Sequence, residues 1–193
     1  MEAFLVSAGA VLLGEIGDKT MLLALVLATR FRKPWPVIAG ILVATLLNHA
    51  LAGLLGGWVR TVLPAEWLPW IVGGLFIAVG LWALVPDKLD DDDDDAKPNG
   101  VGSAFIVTTI AFFLAEIGDK TQIATTLLAA RFESLLAVVA GTTTGMMLAD
   151  VPVIFVGAAL ATKLPLKAIR IVAAALFIVL GVTTLIFRHS IGG

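Results

Sequence analysis

Residues 15–20 of the chain read EIGDKT, and residues 116–121 read EIGDKT again. Each copy lies inside a long and otherwise apolar segment, where a charged side chain is costly unless it has a partner. Ionisable residues within such segments are functional candidates by default, because nothing in a bilayer interior favours them. The doubled motif therefore predicts a functional site in the interior of a membrane.

The composition supports a membrane protein. The chain has 193 residues, 59% of them hydrophobic, and its mean hydropathy is +1.01, far above the range of soluble domains. Cysteine is absent, which excludes disulfides, thiolate metal sites and a cysteine nucleophile. The apolar N-terminal stretch lacks a basic leader and contains the first motif, so it is predicted to be a membrane span and not a cleaved signal.

Six segments are long enough to cross a hydrocarbon core of about 30 Å as helices. The sequence therefore predicts an all-α integral membrane protein with six transmembrane helices. The predicted spans are Phe4–Ala28, Trp35–Val59, Trp67–Val85, Ala104–Ala130, Leu135–Leu160 and Ala168–Phe187.

An internal repeat organises these spans. At a shift of 101 positions, half of residues 15–40 are identical to residues 116–141, and no gap is needed. This predicts two three-helix repeats, 1–86 and 102–193, joined by an acidic linker, 87–101. Because each repeat has an odd number of spans, the second copy inserts upside down. Inverted repeats are a transporter architecture, with the binding site near the membrane midplane between the halves.

The loops predict an orientation, since Lys and Arg are concentrated on the cytoplasmic side. Both termini are then expected outside the cytoplasm, and the run of aspartates at 90–95 inside, as a solvated linker or a cation-collecting mouth. The predicted cytoplasmic residues are Arg30, Arg32, Lys33, Lys88, Lys97, Lys163, Lys167 and Arg170; the opposite side has Arg60, Arg131 and Arg188.

The motif acids predict a cation site. Glu15 and Asp18 are three residues apart and would share one face of a helix, as would Glu116 and Asp119 in the second repeat. Two inverted helices that present these faces to each other would gather the carboxylates around one centre. Hard divalent cations prefer such oxygen ligands.

The remaining motif residues suggest supporting roles. Gly17 and Gly118 permit close helix approach or local unwinding that frees carbonyls. Lys19 and Lys120 follow the motif glutamates by four residues, the favourable helical spacing for an ion pair. They could neutralise the acids in the absence of a cation, or mark the boundary of the pathway.

Further polar residues lie at corresponding depth. Thr20 and Thr121 add hydroxyls to the motifs and can hydrogen-bond back to the helix. Asn48 and His49 lie in the middle of the second span, and the repeat aligns His49 with Asp150 of the fifth. A softer or nitrogen donor from His49, Met21 or Met147 would favour a transition metal over calcium. A simple interhelical hydrogen bond is the alternative for His49, and packing is the alternative for Met147.

Several functions remain open at this point. Protons compete with a metal for the same carboxylate oxygens, which predicts metal/proton exchange through one site. Export of an organic cation or amino acid on the same frame is an alternative, although neither motif contains an aromatic residue. Intramembrane proteolysis would leave the lysines and the duplication unexplained, and metal hydrolase chemistry would want more histidine than His49 and His189. A purely structural membrane scaffold would not need acids at mid-depth.

The doubled motif around an acidic linker resembles the Gdt-type cation/proton exchanger family, and the resemblance covers the whole chain. It implies a transporter and not an enzyme, in a bacterial inner (plasma) membrane and similar to manganese exporters of the MneA type, with Ca²⁺/H⁺ exchange as the alternative. It implies a divalent cation and the lipid bilayer as partners, no nucleic acid and no prosthetic group; homo-oligomerisation is left open. The implied cation site comprises Glu15, Asp18, Glu116 and Asp119, with Thr20, Thr121 and Gln122 in or near it.

Overall fold

The computed structural model describes residues 1–85, 101–156 and 165–187. Within these ranges the chain is helical and has no strand. Most of the predicted linker 87–101, including the aspartates at 90–95, lies outside the described residues. The helices are α1 (Glu2–Glu15), α2 (Lys19–Phe31), α3 (Pro34–Val62), α4 (Leu68–Trp82), α5 (Val101–Glu116), α6 (Lys120–Arg131), α7 (Leu135–Val156) and α8 (Leu166–Ile186).

Three of the described helices, α3, α7 and α8, are long and apolar enough to cross a membrane. The pair α5 and α6 would be a fourth span if the two are counted together, with a bend of 71° between them. Leu46, Leu51 and Leu54 on α3 are 47%, 55% and 58% exposed. Large apolar side chains left open along one long helix are expected where the surroundings are lipid. The chain is therefore an all-helical membrane protein.

The predicted span Phe4–Ala28 is wrong as a continuous helix. It is two helices, because α1 ends at Glu15 and α2 begins at Lys19. Gly17 has φ of +84°, a backbone conformation that glycine adopts without the steric cost of a Cβ. Asp18 then caps α2, and its carboxylate accepts a hydrogen bond from the Lys19 N–H at 2.8 Å.

The predicted span Ala104–Ala130 is broken at the equivalent place. Gly118 has φ of +78°, and Asp119 holds the extended N-cap position of α6. Of the two roles that the sequence allowed for Gly17 and Gly118, close helix approach or local unwinding, the structure shows local unwinding in both halves. Of the other predicted spans, α3 and α8 match closely, α4 is shorter than predicted, and the end of the fifth lies outside the described residues.

The two halves pack through pairs of equivalent contacts. Gly141 on α7 lies against the Phe4 carbonyl and the Ser7 side chain of α1, leaving no room for a Cβ. Gly40 on α3 lies in the same way against Thr108 of α5. The repeat aligns Gly40 with Gly141 and Ser7 with Thr108. The glycines at these two crossings allow α1 to pack closely against α7 and α5 to pack closely against α3.

The helices α4 and α8 pack against each other and join the two halves. The rings of Phe76 and Phe177 stack there, with centroids 6.5 Å apart and an interplanar angle of 18°, and both side chains are fully buried. Gly73 and Gly181 provide a further close approach on the same helix pair. Phe76 and Phe177 are equivalent in the repeat, so this contact joins corresponding positions of the two halves.

Candidate cation site

The two helix breaks meet, and their charged residues pair crosswise. The Lys19 ammonium lies 3.3 Å from Asp119 Oδ1, and the Lys120 ammonium lies 3.4 Å from Asp18 Oδ2. The predicted pairing of each lysine with its own motif's glutamate is wrong, because the helix is interrupted between them and the i,i+4 geometry does not exist. Each lysine instead contacts the aspartate of the other half.

Three buried carboxylates converge at this junction. One oxygen from each of Glu15, Asp18 and Asp119 lies within 4.8 Å of the other two, and these residues are at most 3% exposed. The expectation that Glu15 and Asp18 share a helix face is wrong in its geometry, since Asp18 belongs to the cap of the next helix. The unwound turn at Gly17 brings the two side chains to the same centre.

Glu116 lies beside this group, where its charge interacts with those of Asp18 and Asp119. The two motif glutamates are held alike. The Thr20 hydroxyl donates to Glu15 Oε2, and the Thr121 hydroxyl donates to Glu116 Oε2 at 3.2 Å. Thr121 also lies 3.4 Å from Asp119 Oδ2. The sequence allowed these hydroxyls to bond back to the helix, whereas in the structure both donate to motif carboxylates.

The second oxygen of each glutamate differs from the first. Oε1 of Glu15 and Oε1 of Glu116 are buried and have no hydrogen-bond partner among the described residues. A buried carboxylate oxygen without a partner is costly, and both glutamates carry this cost at equivalent positions. The pattern is that of acceptor oxygens arranged for a ligand.

Asp150 joins the cluster from α7. Its side chain is fully buried, and neither carboxylate oxygen has a hydrogen-bond partner within the described ranges. Its charge interacts with those of Glu15 and Glu116. The sequence expectation that Asp150 lies at the depth of the motifs thus agrees with its surroundings.

Asn48 and His49 on α3 are buried as well. The Asn48 amide donates to the Phe113 carbonyl at 3.0 Å, which ties α3 to the last turn of α5, while its own Oδ1 has no partner in the described part of the chain. Neither ring nitrogen of His49 has a hydrogen-bond partner there either. No hydrogen bond or ion pair between described residues connects His49 to the carboxylates.

Gln122 and Met21 occupy equivalent positions and perform the same task. The Gly118 N–H donates to Gln122 Oε1 at 2.7 Å, and the Gly17 N–H donates to the Met21 sulfur at 3.4 Å. Each side chain satisfies the backbone donor that the helix break exposes. The sequence suggested Met21 only as a softer metal donor and missed its contact with the Gly17 N–H, for which the alignment of Met21 with Gln122 was the available signal.

The chain matches a family model described as "Divalent cation/proton antiporter GDT1" over residues 3–91 and 104–190. The chain belongs to the GDT1 family. Each matched segment contains one EIGDKT motif and one broken helix, so the GDT1 match and the internal repeat coincide. The recognised resemblance is confirmed, and GDT1 membership makes this chain a transporter of the antiporter class and not an enzyme.

Individual GDT1 relatives agree. A protein of Vibrio cholerae serotype O1 named "Putative manganese exporter" is 47% identical over 97% of this chain and 92% of its own length. A GDT1-like protein of Synechocystis is 29% identical over 95% and 97%, and GDT1-like protein 5 of Arabidopsis thaliana is 28% identical over 96% of each chain. No solved structure matches this chain.

Proposed function

We propose that the chain exports Mn²⁺ from the cytoplasm in exchange for protons, through one site built by both motifs. The observation that carries this proposal is the convergence of buried oxygens from Glu15, Asp18 and Asp119, within 4.8 Å of one another. Acidic groups outnumber the two lysines at this junction. A buried excess of negative charge is stabilised by a bound cation.

The geometry favours a divalent ion with oxygen ligands. Oxygens on opposite sides of such an ion lie about 4–5 Å apart, since Mg²⁺ and Ca²⁺ bind oxygens at about 2.0–2.6 Å. The carboxylate oxygens can therefore converge on one ion with little movement. The ends of α1 and α5 add carbonyl dipoles that favour a cation, as broken transporter helices do.

The lysines serve as counter-ions for the cation-free site. Lys19 and Lys120 pair with Asp119 and Asp18, at 3.3 and 3.4 Å, and a divalent ion that takes those carboxylate oxygens displaces the ammonium groups. This keeps the aspartates from being left buried and unpaired when no metal is bound. A monovalent cation would displace these ammonium groups from the aspartates less easily than a divalent cation would.

The other site residues are assigned from their contacts. Thr20 and Thr121 orient the glutamates, and Asp150 provides further carboxylate oxygens. Asn48 is assigned to the metal through its Oδ1. Gln122 acts from the edge of the site, by holding the Gly118 N–H.

His49 is assigned to coupling or gating and not to the metal. Its imidazole can gain or lose a proton without contacting the ion. Lys19 and Lys120 share this assignment through their ion pairs.

Proton coupling follows from competition for the same atoms. A carboxylate oxygen that binds a metal must first lose its proton, so metal binding releases protons and proton binding releases metal. If the site opens alternately to the two sides of the membrane, the two ions move in opposite directions. In this exchange Mn²⁺ leaves the cytoplasm and protons enter it.

The proposed architecture is six spans in two inverted three-helix repeats. In each repeat the first span is a broken pair, α1–α2 or α5–α6, and two helices follow. The equivalent packing at Gly40 and Gly141 and the odd number of spans support the inverted arrangement. Residues 1–86 and 102–193 form the repeats, the linker 87–101 is cytoplasmic, and the termini lie outside.

Manganese is proposed because the Vibrio cholerae relative is named for it, and Ca²⁺ is the second candidate. The donor atoms that converge are all oxygens, a set that also suits Ca²⁺. The inner membrane is the proposed location, with the lipid bilayer as the surroundings of the exposed leucine face of α3.

The test is flux in vesicles that contain the purified protein. We expect Mn²⁺ flux that an imposed pH gradient drives, and that Glu15→Gln or Glu116→Gln abolishes without loss of folded protein. Glu66→Gln, an exposed residue in the α3–α4 loop, is the matched control and should transport normally. Flux indifferent to the pH gradient would contradict proton exchange.

The choice of ion gives further outcomes. Ca²⁺ flux faster than Mn²⁺ flux would keep the exchange and change the cargo. No flux of either ion through folded protein would contradict the proposed function and favour export of an organic cation.

A further inference from the structure

The first motif is covered by one side chain of the other half. A Cβ added at Gly17 would lie 2.5 Å from Leu166 Cδ2 and within 3.4 Å of two more atoms of the same side chain. Leu166 is the first residue of α8 and therefore belongs to the second repeat. A cavity of about 10 Å³ lies at the same helix break, lined by Gly17, Asp18, Lys120 and Arg170 among others, which is room for about one water molecule.

The second motif has no such cover in the described part of the chain. Gly118 is exposed, and among the described residues other than its chain neighbours no atom lies within 4 Å of the position that a Cβ would take there. The residue that the repeat aligns with Leu166 is Ala65, which is exposed in the loop between α3 and α4. Its single methyl group does not reach Gly118.

The two motif lysines also differ in how exposed their side chains are. The Lys120 side chain, near Leu166, is 5% exposed, whereas the Lys19 side chain, near the open break, is 29% exposed. An ammonium group is costly against lipid, so the exposed part of Lys19 faces water. The site is thus closed on the Leu166 side and open on the side of Gly118 and Lys19.

We propose that Leu166 is a gate residue, whose side chain closes the carboxylate site on one side of the membrane. Leu166 precedes Lys167 and Arg170, which belong to the basic side of the chain, so the closed side is the cytoplasmic one. Release of a cation to the opposite side then passes Gly118. For a cation to enter from the cytoplasm, Leu166 must leave Gly17.

This inference rests on the proposed function for its meaning but not for its test. The chain has no cysteine, so a single introduced cysteine can be labelled specifically with a membrane-impermeant thiol reagent. Ile16→Cys places the label beside the covered break, and Ile117→Cys places it beside the open one, where the isoleucine is 55% exposed. Labelling is measured from each side of the membrane in sealed vesicles of both orientations.

We expect Ile117→Cys to be labelled rapidly from the side opposite the cytoplasm. Ile16→Cys should be labelled at least about tenfold more slowly from the cytoplasmic side, since a minor open state is typically populated at about 0.1–10%. Adding Leu166→Ala should raise the Ile16→Cys rate toward that of Ile117→Cys. Leu166→Met keeps the bulk of the side chain and should leave labelling slow.

The control for effects of α8 substitution is Val172→Ala, at a residue 52% exposed on the same helix, which should change neither rate. Equal labelling of Ile16→Cys and Ile117→Cys with Leu166 intact would overturn the gate, and so would an Ile16→Cys rate that Leu166→Ala and Leu166→Met leave equally slow. Labelling requires no transported ion, so the labelling rates test the gate independently of transport. Absence of Mn²⁺ flux through the folded protein would contradict the proposed function and would leave the gate to be decided by labelling.

Discussion

Lys120 of the second motif lies 3.4 Å from Asp18 of the first, with a side chain only 5% exposed. Its counterpart Lys19 lies 3.3 Å from Asp119 and is 29% exposed. Each motif therefore has its aspartate balanced by the other half of the chain. Both ion pairs require the two halves to meet, which is consistent with a motif that is complete in both copies.

The buried ion pair should contribute strongly to the stability of the metal-free protein. Replacing Lys120 by glutamine leaves Asp18 buried with less compensation, and losing one partner of a buried pair costs about 3–5 kcal/mol. Lys19→Gln, at the more exposed pair, should cost less. Thermal unfolding in detergent without divalent cations measures both, and equal melting temperatures for the two variants would contradict the asymmetry.

Thr20 should tune cation affinity by orienting Glu15. Thr20→Val keeps the shape of the side chain but removes the hydroxyl that donates to Glu15 Oε2. Loss of a partner that orients a ligand typically lowers metal affinity about 10–100-fold. Thr20→Ser retains the donor and should bind Mn²⁺ nearly normally in an equilibrium titration. If valine and serine behave alike, the hydroxyl does not orient the site.

The two glycines with positive φ should be intolerant of a Cβ. Gly17→Ala and Gly118→Ala place alanine in a left-handed conformation, at a cost of about 1–2 kcal/mol. Gly17→Ala should be the worse of the two, because Leu166 Cδ2 lies 2.5 Å from the new Cβ, whereas no described atom of another part of the chain lies within 4 Å of a Cβ at position 118. Gly74→Ala, in a helix with open space around it, is the control. Equal unfolding temperatures for the three variants would contradict the cost assigned to the positive φ of Gly17 and Gly118 and to the Leu166 contact.

Gln122 should act on the helix break more than on the metal. Gln122→Met supplies the acceptor that Met21 provides in the first half, whereas Gln122→Leu removes the partner of the Gly118 N–H, a loss of about 1 kcal/mol. We expect Gln122→Met to keep both stability and Mn²⁺ affinity. A large fall in affinity with unchanged stability in Gln122→Met would instead make the Gln122 amide a ligand of the ion.

Much of the fold was predictable from the repeat. Residues that are aligned by the repeat are expected to make equivalent contacts. Aligning residues 15–40 with 116–141 therefore predicted that Thr20 and Thr121 share one role. Hydropathy alone located α3 and α8, since long uninterrupted apolar runs have few alternatives in a membrane.

The helix breaks were harder to predict from the sequence. EIGDKT contains residues that a helix tolerates, and Gly17 is compatible with both a tightly packed helix and a left-handed turn. The choice between them depends on tertiary partners: Lys120 reaches Asp18 only because the two halves meet. The cover of Gly17 by Leu166 likewise joins distant positions, and the repeat gives no hint of it because Leu166 aligns with Ala65.

The most direct test of the account is the number of Mn²⁺ ions that the purified protein binds, read from the loss of the free Mn²⁺ signal in electron paramagnetic resonance. We expect one ion per chain, lost in Asp18→Asn and equally lost in Asp119→Asn, because both halves form the same site. Glu133→Gln, which alters a carboxylate 83% exposed and paired with Arg60, should bind normally. Two ions per chain, or binding that survives either aspartate substitution unchanged, would contradict a single site shared by the two motifs.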